Sequence, residues 1–312
     1  MPFELTILGS NSALPTSDRY PTAQVLNILG RFFLIDCGEG TQIQLRRNKI
    51  GFSKIKHIFI SHLHGDHYYG LIGLISTLNL LGLKTDIHIY SPSELKNLLQ
   101  PQLDFIKGDM NVNLIFHPLN FKKTQQIFAD KRVEVFSFPV KHSISTCGFL
   151  FKEVKKQANI KKEMVQEYKI PIAKIKEIKN GADFITTEGE FIPNEKLTTP
   201  APHPRSYAFC TDTAFHLPIV DVIKDVDLLY HEATFLEAMR DFANKTLHST
   251  TIDAANIAKS ANAKKLIIGH FSARYNDIKL FEREAQTVFE NTEAAKEGKT
   301  YKVISTPAKV ND

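Results

Sequence analysis

The sequence predicts an α/β protein whose chemistry gathers at strand ends, and three observations predict it. Short β-branched and aromatic runs alternate with segments of helical periodicity. Run after run delivers a polar residue at its carboxyl end. Residues 55–60 lead into Ser61-His62-Leu63-His64-Gly65-Asp66-His67, 207–210 into Asp212, 227–230 into His231-Glu232, and 266–269 into His270. Finally, residues 152–200 break the alternation and concentrate charge, which reads as an insertion.

Taken in order, residues 3–8 form an apolar run ending in Gly9-Ser10-Asn11-Ser12, a strand feeding a polar turn. Residues 23–29 and 32–35 read as a hairpin about Gly30-Arg31. Asp36-Cys37-Gly38-Glu39-Gly40 follows, then a helix over 41–47. Asp36 reads equally as a carboxylate that orients a metal ligand or as a helix cap. Residues 68–83 carry a helical recurrence at Leu71, Leu74, Ile75 and Leu78. A strand is expected at 87–90, a helix opened by Ser93 to about 106, and strands at 112–116 and 133–138, the second leading to His142. Beyond the insertion, Ser249 or Thr250 caps a helix over 252–261. Asp277 caps another to about 290, and 301–304 reads as a last strand.

With 312 residues, 43% hydrophobic and 23% charged, the chain suffices for one large α/β domain plus an insertion. It contains no apolar run of 18 residues and its N-terminus lacks a basic, apolar and cleavage-site sequence, so no membrane or export is expected, and the expectation is a cytoplasmic protein. Cys37, Cys147 and Cys210 are odd in number and lack CxxC spacing, as expected of reduced thiols. The net charge of +5 is mild and identifies no partner. Its distribution says more: nine Lys and four Glu between Lys152 and Lys179 leave +5 in that stretch alone, and the remainder to Pro200 is acidic. One helix is expected there, with Ile160, Met164, Val165 and Tyr168 on one face and Pro171 as its end. The whole reads as an inserted, flexible, projecting basic arm.

Imidazole and carboxylate suit zinc and similar divalent ions. His62 and His64, two apart on an extended segment, project to one side. Gly65 is expected to let the chain turn, so that Asp66 and His67 face a second position. The spacing differs from the helical HExxH of zinc proteases. It resembles the metal motif of the metallo-β-lactamase fold, a four-layer αββα sandwich with one or two metals between its sheets. His62, His64 and His142 then serve one metal, and Asp66, His67 and His270 another, with Asp212 bridging both. Two metals ~3.5–4 Å apart clamp the attacking and leaving oxygens of a displacement. Phosphodiester hydrolysis is favoured, and amide hydrolysis stays open.

Over nearly its whole length the chain resembles the ribonuclease Z family of tRNA 3′-processing endoribonucleases. The resemblance runs through Asp36-Cys37-Gly38-Glu39-Gly40-Thr41-Gln42, the histidine motif, Lys141-His142, Thr211-Asp212-Thr213, His231-Glu232-Ala233-Thr234, His248-Ser249-Thr250 and Ser272-Ala273-Arg274-Tyr275. It implies a catalytic domain of residues 1–151 and 201–312 holding two Zn²⁺, with Mn²⁺ or Fe²⁺ possible, and precursor tRNA as substrate. A metal-bound hydroxide would attack the phosphorus after the discriminator nucleotide, leaving a tRNA 3′-hydroxyl and a 5′-phosphate trailer. Asp66 would activate the water, His248 would protonate the leaving oxygen with Glu232 orienting it, and His231 is a supporting candidate. The resemblance also makes residues 152–200 a tRNA-binding arm, with Lys161, Lys162, Lys174, Lys176 and Lys179 as contacts, and the protein a homodimer. The family's Pro-Pro-Gly-Pro-like turn is replaced by Pro171-Ile172-Ala173-Lys174. Competing readings are a small-ester hydrolase of the same fold, which needs no basic arm, and a silent RNA-binding protein with structural zinc, which would favour closed, Cys-containing sites.

Overall fold

Phe33, Ile35 and Phe59 lie on one face of their strands, and Leu34, Ile58 and Ile60 on the other, all fully buried. Strands apolar on both faces must be covered on both. In the computed structural model, which describes residues 2–106 and 111–305, that requirement is met by four layers. One seven-stranded sheet runs Thr300–Lys302, Phe3–Gly9, Ala23–Ile28, Arg31–Cys37, Ile55–Phe59, Asp86–Ser91, Asn113–Pro118. The other runs Thr292–Ala294, Leu266–Gly269, Leu228–Glu232, Ser206–Cys210, Cys147–Glu153, Val133–Pro139, Gln125–Ala129. Their inner faces meet through aromatic rings, with Phe33 against Phe151 and Phe59 against Phe149, each at 5.5 Å between centroids. Outside the first sheet pack the helices Thr41–Arg47, Gly70–Leu80 and Glu94–Ile106, through Leu45, Leu71, Leu74, Ile75, Leu78, Leu95 and Leu99. Outside the second lie Thr251–Ser260 and Lys279–Gln286, through Ala254, Ile257, Ala258, Phe281 and Ala285. This is the αββα sandwich of the metallo-β-lactamase fold.

Four consecutive strands of the first sheet, from Arg31–Cys37 to Asn113–Pro118, are parallel, as are four of the second, from Ser206–Cys210 to Thr292–Ala294. In open parallel sheets, ligands bind outside the carboxyl ends of the strands. The strands Gln125–Ala129 and Thr292–Ala294, both at sheet edges, and the helix Arg240–Thr246 go beyond what the sequence predicts. The strands are short, and the helix buries only Ala243, so none carries a readable period.

Residues 153–204 form a second unit. It has its own core of Ile170, Ile178, Phe184, Ile192 and Leu197, backed by Ile160, Met164, Val165, Tyr168 and Ile175. It is a folded unit rather than a bare charged loop. The expected helix spans Lys162–Glu167, and a second, Ile172–Lys179, follows at once. The first helix ends before Pro171, with Tyr168 at its cap and Lys169 in the left-handed region (φ 49°), and Pro171, with φ −61°, stands just before the second helix and opens it. Lys162, Lys174 and Lys176 are exposed, while Lys161 and Lys179 are half-buried. Lys161 Nζ donates to the Lys196 carbonyl at 2.9 Å, and Lys174 pairs with Glu177 at 2.8 Å. Residues 1–152 and 205–304 make the first unit, which holds every strand-end residue described next.

A candidate two-metal centre

Each functional side chain arrives from the end of a strand or from the turn after it. Ser61 to His64 follow the strand Ile55–Phe59, with His64 extended, and Gly65–Tyr68 form one helical turn that carries Asp66 and His67. Asp36, Asp212 and His270 end or follow strands with φ of 55°, 49° and 61°, in the left-handed region. Gly38 lies so close to this loop that a Cβ on it would sit 2.5 Å from the Asp66 carbonyl oxygen, which requires glycine there.

The ligand atoms converge in two groups. His62 Nε2 lies 3.1 Å from His64 Nδ1 and 3.3 Å from Asp212 Oδ2, and His142 Nε2 lies 3.2 Å from His64 Nδ1 and 3.6 Å from Asp212 Oδ2. Asp66 Oδ2 lies 3.3 Å from His67 Nε2 and 3.4 Å from His270 Nε2. Those two nitrogens lie 3.2 and 3.1 Å from Asp212 Oδ1. A tetrahedron about zinc with ~2.1 Å bonds has edges of ~3.4 Å, so both groups have the spacing of a coordination shell. Asp212 gives one oxygen to each group, as expected of a bridge.

The proton arrangement tests whether metals fit. Asp36 accepts from Ser61 N (2.8 Å), from Ser61 Oγ (2.9 Å) and from His67 Nδ1 (2.7 Å). With its proton given to Asp36, Ser61 Oγ accepts from His62 Nδ1 at 3.0 Å. His142 Nδ1 donates to the Leu247 carbonyl at 3.0 Å. Thr234 Oγ1 donates to Glu232 Oε2 at 2.7 Å and therefore accepts from His270 Nδ1 at 2.9 Å. Every one of these Nδ1 atoms carries its proton away from the centre, so four Nε2 lone pairs point inward. His67 Nε2 is buried with no hydrogen-bond partner, an orphan that a metal would satisfy.

The charges agree. Burial opposes ionisation of Asp212, yet His270, His67 and His62 hold it well below the usual carboxylate range, and Asp66 is likewise held low by His67 and His270. Burial lowers His62, His64 and His142 and keeps them neutral, the form that binds metal. Burial lowers His67 too, but Asp212, Asp66 and Asp36 outweigh it and push the imidazole well above its ordinary value. The pocket attracts a cation at that position, and the residues present fit a pair of divalent ions.

Beside the two groups, Glu232 is a fully buried hub. It accepts from Thr213 N (2.9 Å), Thr234 N (3.1 Å), Ser249 N (3.2 Å), Thr234 Oγ1 and His248 Nδ1 (2.8 Å). Thr250, with Asp253, closes a capping box on Thr251–Ser260, which fixes the segment presenting His248. Burial lowers His248, but the Glu232 carboxylate raises it further, to about 9. Glu232 itself, despite burial, is drawn down to about 2 by His248. Glu232 thus favours the protonated form of His248, whose ring lies 5.0 Å from that of His142 and 5.4 Å from that of His270.

His231 is not brought to this centre. It precedes Glu232 on the same strand, so its side chain takes the opposite face; it is fully buried, its Nδ1 donates to the Glu232 carbonyl at 2.7 Å, and burial keeps it neutral. Gly65 serves differently from its expected role. Its φ is not positive, and its lack of a Cβ leaves room for the Tyr69 ring. A cavity of about 830 Å³ opens over the cluster, lined by Leu14, Tyr69, His64, Asp66, Asp212, Phe235, His248, His270 and Arg274 among others. The resemblance runs through Arg274, but nothing in the sequence marks Leu14, Tyr69, Phe235 or Arg274 as facing a cavity.

A family model described as "Anti-Pycsar protein Apyc1" matches residues 3–160. That half includes the histidine motif and His142 but neither Asp212 nor anything beyond it. Ribonuclease Z of Bacteroides fragilis strain YCH46 is 48% identical over 295 residues, covering 95% of this chain and 97% of that one. Ribonuclease Z of Porphyromonas gingivalis strain W83 is 45% identical with the same coverage. Among solved structures, the short form of human tRNase Z superposes with a TM-score of 0.71 at 26% identity, covering 96% of this chain and 99% of that one. The metallo-β-lactamase fold protein YhfI of Bacillus subtilis gives 0.68 at 17%, covering 97% and 100%, a likeness of fold. Relatives matched over 95% of this chain span the positions of Asp212, Glu232, His248 and His270 as well: the chain is a hydrolytic enzyme and belongs to the ribonuclease Z family of endoribonucleases.

Proposed function

We propose that the protein removes the 3′ trailer from precursor tRNA, leaving a tRNA 3′-hydroxyl and a trailer with a 5′-phosphate. The observation that carries the reading is the His248–Glu232 pair beside the two ligand groups, which suits a proton donor to a phosphodiester's leaving oxygen. Support for the substrate comes from relatives named ribonuclease Z over nearly the full chain. In this reading His62, His64, His142 and Asp212 hold one ion and Asp66, His67, His270 and Asp212 the other, as zinc, with Mn²⁺ or Fe²⁺ as alternatives. When bound, such ions would supply an acidified water and electrostatic stabilisation of the phosphoryl oxygens. Asp66 would orient the attacking water or take up its proton. His248 gives its proton to the leaving 3′-oxygen, and Glu232 fixes the ring in the required orientation. Residues 153–204 form the tRNA-gripping element, through Lys161, Lys162, Lys174, Lys176 and Lys179, in a cytoplasmic homodimer.

The test is cleavage of an end-labelled precursor tRNA, with the product termini identified by ligation and phosphatase treatment. Metal-dependent release of an intact trailer with those termini is expected. Hydrolysis of small phosphodiesters without any cleavage of precursor tRNA would overturn the reading.

A further inference from the structure

We infer that Tyr69 is a stacking platform for the nucleobase of the first trailer nucleotide, directly 3′ of the scissile phosphate. The inference deepens the proposed function and rests on it. Among the described residues, most large apolar side chains that reach solvent lie away from the metal centre. Two line its cavity: Tyr69, 58% exposed, and Leu14, 67% exposed. Single exposed apolar residues are ordinary; what sets Tyr69 apart is that its ring lines the cavity over the ligand groups.

The ring is held in place. A Cβ on Gly65 would fall 2.1 to 2.6 Å from three atoms of the Tyr69 ring, so the ring lies on the bare backbone of the metal loop. Its edge is fixed by Tyr68, with centroids 4.9 Å apart and planes at 67°. Tyr69 ends the helical turn that carries Asp66 and His67, and its amide donates to the Gly65 carbonyl at 2.9 Å. The ring is therefore tied to the same backbone that sets two metal ligands, while much of it remains open. A flat, fixed, half-exposed ring beside a phosphodiester centre fits a nucleobase, because every base offers a π-face. Leu14 supplies a second apolar surface in the same cavity. Its carbonyl accepts from Asn11 Nδ2, and Asn11 in turn bridges to Phe271, next to His270.

The side of the substrate follows from the roles of the flanking groups. Tyr69 shares its turn with Asp66, which serves the attacking water, whereas His248 serves the leaving 3′-oxygen. In-line displacement places attack opposite that leaving oxygen. The tRNA 3′-nucleotide, which carries the leaving oxygen, therefore lies toward His248, and the trailer nucleotide, whose 5′-oxygen is equatorial, is the one left free to turn toward Asp66 and Tyr69.

The test is a double-mutant cycle between enzyme and RNA. Precursor tRNAs with an abasic residue at the first trailer position, or at the last tRNA position, are cleaved by wild type, Tyr69→Phe and Tyr69→Ala, each with its metal content measured. Tyr69→Ala is expected to lower kcat/KM on the intact precursor by roughly 10- to 100-fold, the range for loss of one base–aromatic stack, with Tyr69→Phe close to wild type. Removing the first trailer base should cost wild type a similar factor, and on that RNA the Ala variant should lose no more. 2-Aminopurine at the same position should be quenched on binding to metal-free wild type, and much less by Tyr69→Ala. Undiminished loss for Tyr69→Ala on the trailer-abasic RNA overturns the subsite, as does coupling confined to the last tRNA base. If wild type fails to cleave the intact precursor at all, the functional reading itself falls, which is a separate result.

Discussion

Asp36 belongs to neither ligand group, yet it holds one imidazole of each, His67 directly and His62 through Ser61. The perturbation is Asp36→Asn. Asparagine tolerates the left-handed φ of 55° at this position, so the exchange removes charge without forcing the backbone. The carboxylate receives three protons, from Ser61 N, Ser61 Oγ and His67 Nδ1. An amide has one oxygen to offer. With its NH₂ in the Oδ2 place, that group opposes two donors, and His67 relieves the conflict by moving its proton to Nε2. That removes the lone pair from the group of Asp66, His67 and His270. With NH₂ in the Oδ1 place, the buried Ser61 amide loses its acceptor instead. Hydrogen bonds to a charged group contribute about 1.5–3 kcal/mol each, so a loss of roughly 2–4 kcal/mol in folding stability is expected. Loss of an orienting partner of this kind lowers metal affinity by roughly 10- to 100-fold. The larger share should fall on the His67 position, since His62 reaches Asp36 only through Ser61. Competitive chelation that resolves the two binding steps, with thermal melts of the metal-free protein, measures both quantities. Two unchanged affinities would refute the reasoning, as would loss confined to the group of His62, His64 and His142.

Asp212→Ala should remove most bound metal and nearly all hydrolysis while the circular dichroism spectrum stays native; two ions per chain with normal cleavage would end the bridge assignment. His248→Ala should lower precursor cleavage by roughly 10²–10⁴-fold at unchanged metal content, and nitrophenyl phosphodiester hydrolysis by much less. Equal losses on both substrates would reassign His248 to positioning. Reversing Lys162, Lys174 and Lys176 to Glu should flatten the log–log salt dependence of tRNA affinity by about 0.7–0.9 for each phosphate that is no longer neutralised, and an unchanged slope would remove these lysines from the interface.

The parts of this molecule legible in its sequence are those with strong chemistry at short spacing. Three imidazoles and a carboxylate within the seven residues from Ser61 to His67 exceed what a solvated loop needs, and the strand feeding them is apolar. Strand ends likewise expose Asp212 and His270, because a buried run stops abruptly at each. Asp36 stays ambiguous because an acidic residue in a Gly-rich turn also suits a helix start, and only its three donors distinguish the roles. In the event the helix Thr41–Arg47 takes Gly40 at its cap position. His231 stands as a supporting candidate beside Glu232 because the two are adjacent, and the sequence does not say which face of the strand meets the cavity. Among the lysines, the helix Ile172–Lys179 is hidden by charge, as its one fully buried residue is Ile178. Tyr69 is invisible for the opposite reason. It reads as one more apolar residue at the start of an amphipathic helix, and its function depends on being left outside the core.

Three strands reach the centre through the same unusual backbone, at Asp36, Asp212 and His270. Along a strand, side chains alternate between faces, so a ligand placed in regular strand geometry would enter either the ring-packed core or the helical layer. A left-handed residue at the strand end breaks that alternation and directs its side chain past the end of the sheet. Three such residues, from two sheets, then share one volume, and Asp212 gives one oxygen to each ligand group. For aspartate the conformation is inexpensive. For His270 it costs about 1–2 kcal/mol, and the surroundings must hold it. They do so through the Nδ1–H bond to Thr234, itself fixed on Glu232. Glu232 also anchors His248, so the residue that orients the proposed proton donor steadies the strained ligand as well. A neutral substitute at Glu232 should therefore disturb binding at His270 and proton donation at His248 together, which no independent pair of defects would require.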